Sequence, residues 1–151
     1  KTIEKCFFFG DDDYEEDLFS NLEMFKSLEM DLMQGFYFFM NYEQKIAPAF
    51  KTIHEFEEYD DVVQGTRRFV TASPQAALEN LASGGCPIFI QRPDYVRDFI
   101  PLFDSLNIPV VDGFDKMKLS PLFDSLLSHK YHTLEQDTEK IAKFLKESLS
   151  L

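Results

Sequence analysis

RRFVTASPQAALENLASGGCPIFIQ, residues 67–91, contains two apolar runs separated by one helix-length segment. Phe69–Thr71 and Pro87–Ile90 read as buried strands, because neither alternates apolar with polar residues as a half-solvated strand would. Between them, Ser73 has the side chain of a helix N-cap, and the predicted helix runs over Ser73–Ser83. Pro74 takes the first helical position, where its missing N–H costs nothing. Gly84 and Gly85 supply the left-handed residue on which such a helix ends. Two apolar strands joined by one short helix predict a βαβ unit, and with it a parallel sheet.

The same reading extends outward. Ile3–Phe9 is a compact apolar run closing on Gly10 and predicts a first strand. Asp13-Tyr-Glu-Glu16 has capping-box spacing. Leu18, Leu22, Phe25, Leu28 and Leu32 then keep helical spacing to about Met33, with Gly35 as the stop. Phe36–Met40, almost free of polar residues, predicts a central second strand. Tyr42–Phe50 predicts a helix broken near Pro48. Ile53–Tyr59 fits either a short strand or a helix with an acidic face, and Gly65 marks a turn. Beyond Gln91, Val96, Phe99, Ile100, Phe103 and Leu106 lie on one helical face, with Pro101 predicting a kink or an early break. Asn107 ends that helix and Ile108–Val111 is a short strand. Leu119–Leu127 and a segment capped at Thr133-Leu-Glu-Gln136 are the last predicted helices. PLFDSL occurs at Pro101–Leu106 and Pro121–Leu126, but the flanks do not match and no repeat is inferred.

Five strands alternating with helices predict a single α/β domain over residues 1–151, with a three-layer, mostly parallel five-stranded sheet, Rossmann-like or flavodoxin-like. Its core would include Phe7, Phe9, Phe36, Phe38, Phe69, Ile88, Ile90 and Val110. Right-handed crossovers would gather Gly10–Asp13, Asn41–Glu43, Thr71–Gln75, Gln91–Asp94 and Asp112–Asp115 at one sheet edge. With 17 phenylalanines and no tryptophan, aromatic burial falls mostly to Phe. A net charge of −12 argues against nucleic acid or anionic lipid as partner. No apolar run has the length of a membrane span and the first residues do not form a signal peptide. Cys6 and Cys86 each begin an apolar run and read as buried, reduced thiols, the alternative being a disulfide or redox pair. From the reduced reading a cytoplasmic setting is expected.

Candidate chemistry concentrates at the same edge. Ser73–Gln75 could bind an anion through the N–H groups of Gln75 and Ala76 at a helix start, or Ser73 could simply cap its own helix. Arg92 could complete a phosphate or carboxylate clamp with Ser73, or pair with Asp94 or Asp98. Asp11 and Asp12 are hard oxygen ligands suited to magnesium, the alternative being a cap with solvated neighbours. No other cofactor is predicted. A receiver-type phosphoacceptor is missing, since the third strand ends in Thr71-Ala72-Ser73. His129 and His132 lack metal-site partners, His54 is isolated, and no histidine metal site is predicted. Glycine-rich dinucleotide loops, phosphate loops and nucleophile elbows are absent from the sequence.

Ala76–Ile90, AALENLASGGCPIFI, resembles the C-terminal, Rossmann-like lobe of GT-B type glycosyltransferases. There a glutamate-led helix is followed by alanine-small-glycine, and a proline opens the next strand. Glu79, Ala82, Gly84 and Pro87 fall on that pattern, with one extra glycine. The resemblance implies that Glu79 contacts the ribose of a nucleotide-sugar and that nearby helix starts hold its phosphates. Where the family carries arginine or lysine after the first strand, this chain has Gly10-Asp-Asp-Asp13. On that acidic loop and the length of one lobe, the sequence favours a non-catalytic regulatory or protein-interaction domain that meets a basic protein surface. The second expectation is a donor-binding lobe using Ser73, Gln75, Glu79 and Arg92.

Overall fold

The computed structural model describes residues 2–10, 20–35, 45–91 and 98–112. Six strands form one sheet: β1 (Ile3–Phe8), β2 (Asp31–Met33), β3 (Ile53–His54), β4 (Thr66–Thr71), β5 (Cys86–Gln91) and β6 (Val110–Asp112). Their order is β3-β2-β1-β4-β5-β6, and every pairing is parallel. Cys6 of β1 lies opposite Asp31 on one side and Phe69 on the other, and Phe69 in turn opposite Pro87. Four helices, α1 (Leu22–Leu28), α2 (Tyr59–Gly65), α3 (Pro74–Ala82) and α4 (Ile100–Ser105), and 3-10 turns at Ala47–Ala49 and Phe56–Glu58 cover it.

Strand alternation divides the apolar side chains between two faces. Phe7, Phe9, Leu32, Val70, Ile88 and Ile90 pack against α1 through Met24, Phe25 and Leu28, and against Phe50. On the opposite face Cys6, Phe8, Met33 and Phe69 meet Val62 and Val63 of α2 and Ala76 of α3. Farther along, Phe89 packs with Ala77, Leu78 and Phe103. The chain from β1 to β3 therefore covers one face and the chain from β3 to β6 the other.

The βαβ unit matches its reading, with α3 capped by Ser73, Pro74 in its first turn and Gly84 at φ 85°. Phe7, Phe9, Phe69, Ile88 and Ile90 are buried, whereas Val110 is only partly so. Other expectations need correction. The sheet has six strands, not five. The first helix stops at Leu28 on a left-handed Glu29 (φ 53°), not at Gly35, and Asp31–Met33 is a strand. Leu28 and Leu32 keep helical spacing across that break, which hid it. Phe36–Met40 lies outside the described residues. The acidic stretch near residue 55 is strand, 3-10 turn and helix in succession, and Gly65 closes α2 where a turn was expected. Pro101 lies in the first turn of α4 and neither kinks nor breaks it, because that turn has no use for the N–H that proline lacks.

Neither Cys6 nor Cys86 is disulfide-bonded. Cys6 is fully buried, and burial, with the Asp31 carboxylate as a smaller contribution, pushes its thiol well above the ordinary 9.0. The unfolded chain therefore loses this proton first as pH rises. The stability contributed by the protonated thiol is complete below about pH 9 and is lost as pH climbs toward the folded value. Cys6→Ala should flatten the alkaline loss of stability measured by urea unfolding. Iodoacetamide should modify the half-buried Cys86 before Cys6 in the native protein.

Candidate functional site

The strand order fixes where a site belongs. Crossovers run to opposite faces on either side of β1 and β4, so the topological switch point, where α/β sheets bind ligands, lies at the carboxyl ends of these two strands. Phe9 and Gly10 leave β1 there, and Ala72 and Ser73 leave β4.

Thr71-Ala72-Ser73 is a turn built from its own hydroxyls. Ser73 N–H donates to Thr71 Oγ1 at 3.0 Å, and Ser73 Oγ accepts from Ala76 N–H at 3.2 Å. Ala77 N–H donates to Ser73 O at 3.1 Å. Ala76 N–H is thus taken by the cap, the second of the two readings of Ser73, and does not face a ligand. Pro74 has no N–H, so among the described residues the α3 start presents the Gln75 N–H with the helix dipole behind it.

Gln75 and Glu79 come together one turn apart on α3. Gln75 Nε2 donates to Glu79 Oε1 at 2.8 Å, and Tyr59 Oη donates to Glu79 Oε2 at 2.8 Å. Tyr59 is anchored by Phe8, at 5.7 Å between ring centroids, and by Phe56, at 5.8 Å. Both oxygens of the Glu79 carboxylate are therefore held between the starts of α2 and α3. The same side chain lines an open groove of about 310 Å³ with Asp60, Val63, Gln64, Ala82 and Ser83. Tyr59, twenty residues upstream, had no sequence signal connecting it to Glu79.

Two glutamines mark the same carboxyl edge. Gln91 ends β5 and its Oε1 accepts from Phe99 N–H at 2.8 Å. Gln34 follows β2, and its side chain is buried with neither Nε2 nor Oε1 hydrogen-bonded among the described residues. The polar residue directly after Asp31-Leu-Met33 was the one available sign of it. Arg92, Asp11 and Asp12 lie outside the described residues.

His54 is not isolated as expected, because its Nε2 stands 2.9 Å from Asp31 Oδ2, with Glu58 Oε1 3.9 Å from Nδ1. This contact clasps β3 to β2. Among the described residues no group of three His, Cys, Asp or Glu side chains could hold a metal ion, and no helix is long and apolar enough to cross a membrane. No protein-family model, curated protein sequence or solved structure matches the chain.

Proposed function

We propose that this chain is a Rossmann-like nucleotide-binding lobe that holds the nucleotide portion of a nucleotide-sugar across the crevice between β1 and β4. The observation that carries this reading is the strand order β3-β2-β1-β4-β5-β6. It differs from the flavodoxin-like order and places a Ser73-capped, nine-residue helix beside the switch point. A phosphate there would meet the Gln75 N–H and the positive end of the α3 dipole. Arg92, directly after β5, supplies the cation that such a clamp needs. Glu79, held by Tyr59 and Gln75, offers a fixed carboxylate to ribose hydroxyls, in line with the GT-B resemblance of Ala76–Ile90.

A second reading, a non-catalytic module that meets a basic protein surface, has its own support. Glu57, Glu58, Asp60 and Asp61 are exposed in consecutive turns beside the groove that Glu79 lines. Thermal-shift titration separates the two. Uridine diphosphate and its sugar conjugates, with and without magnesium for the Asp11–Asp12 loop, should raise the melting temperature. A ligand at a hundred times its Kd adds about 2.7 kcal/mol to stability. Stabilisation by a lysine-rich peptide that salt removes, with no response to any nucleotide, would reverse the order of the two readings.

A further inference from the structure

We propose that Gln34 reads the base of the bound nucleotide, an assignment that rests on the nucleotide-binding reading above. Gln34 is 1% exposed, and both polar atoms of its side chain lack a partner among the described residues. A buried carboxamide left unmatched is costly, and native proteins retain few such groups without a use for them. The main chain places it firmly. Leu32 N–H donates to Thr52 O and Gln34 N–H to His54 O, each at 2.9 Å, so the ladder continues one residue past β2. Alternation then sets Gln34 on the Leu32 face, next to the end of β1.

The spacing suits a nucleotide. Along the sheet the α3 start beside β4 and Gln34 beside β2 are two strand separations apart, roughly 10 Å. Since α3 packs on the Phe69 face and Gln34 lies on the Leu32 face, a ligand joining them passes over the carboxyl ends of the strands. A phosphate at α3 leaves the ribose over the end of β1 and the base over β2. A carboxamide presents a donor and an acceptor side by side, and a nucleobase edge offers the complementary pair in one plane. The other buried amides among the described residues serve the fold: Asn80 donates twice to main-chain carbonyls, and Gln91 Oε1 accepts from Phe99 N–H.

The test compares uridine diphosphate with inorganic pyrophosphate, by calorimetric titration of the whole chain and of Gln34→Leu. The wild type should bind uridine diphosphate more tightly than pyrophosphate. In Gln34→Leu the uridine diphosphate affinity should fall about tenfold, the equivalent of one lost hydrogen-bonded contact, while pyrophosphate affinity stays unchanged. The ligand-free variant should melt no lower than the wild type, since an unmatched amide has been replaced by a similar apolar volume. Undiminished uridine diphosphate binding by Gln34→Leu overturns the assignment. So does a wild type that binds the two probes equally, a comparison that stands even if the variant does not fold. A wild type that binds neither probe removes the nucleotide reading and this assignment with it.

Discussion

Gly85→Ala is expected to lower the unfolding free energy by about 3 kcal/mol, moving the urea midpoint by roughly 1–2 M. Asn80 is fully buried in the last turns of α3, and its Nδ2 donates to Val63 O at 2.8 Å and to Thr66 O at 3.0 Å. Those carbonyls belong to the end of α2 and the start of β4, so this one amide ties the α2–β4 joint to α3. A Cβ on Gly85 would stand 2.5 Å from Asn80 Cγ and closer still to both heteroatoms of its amide. Asn80 cannot yield without giving up both bonds. Asn80→Ala alone should cost about 2–3 kcal/mol, because it strands two buried carbonyls. Adding Gly85→Ala to Asn80→Ala should then cost little, since the obstructing side chain is gone. Strictly additive costs would mean that the glycine is not there for the asparagine.

The double glycine shows what sequence reading can and cannot reach. Gly84 was legible because a left-handed residue after a helix is a local requirement, met at φ 85°. The second glycine reads from sequence as an extra. Its reason lies in Asn80 and, through it, in carbonyls 17 and 14 residues upstream of that asparagine. The end of α1 was illegible for a similar reason. Glu29 is an unusual left-handed residue, and the carbonyl of Leu28 is satisfied by Lys5 Nζ at 2.7 Å, a contact from β1. β3, only two residues long, is held by Thr52 and His54 carbonyls and by the His54–Asp31 clasp, none of which has a periodic signature.

The candidate site divides along the same line. Ser73, Gln75 and Glu79 were legible because they share one helix, and helix spacing alone places Gln75 and Glu79 within reach of each other. Tyr59 and Gln34 come from other crossovers, and only the order of strands brings their elements to one edge. Gln34 in particular reads as the polar tail of a helix when helical spacing is followed through Asp31–Met33. Once that segment is a strand, Gln34 stands at a carboxyl end.

Phe7→Ala should cost about 3–5 kcal/mol, a large share of the 5–15 kcal/mol that holds an ordinary domain together. Phe7 is fully buried in β1, between β2 and β4, and its ring lies 4.9 Å from Phe25 and 5.8 Å from Phe9. Phe25 continues the contact to Phe50 at 5.1 Å, so one row of rings joins the sheet to α1 and to the segment after the Ala47–Ala49 turn. Truncation at Phe7 removes the member that touches the sheet, and a central strand paired on both sides has little freedom to collapse into the space. Phe56→Ala is the natural control on the opposite face. Phe56 is only partly buried and meets Phe8 at 6.3 Å, so its loss should cost about 1–2 kcal/mol. Urea unfolding of the two variants compares them directly. Equal costs would show that the α1 face is not the better-packed half of the core, and that the row Phe7, Phe25, Phe50 is not what fixes α1 to the sheet.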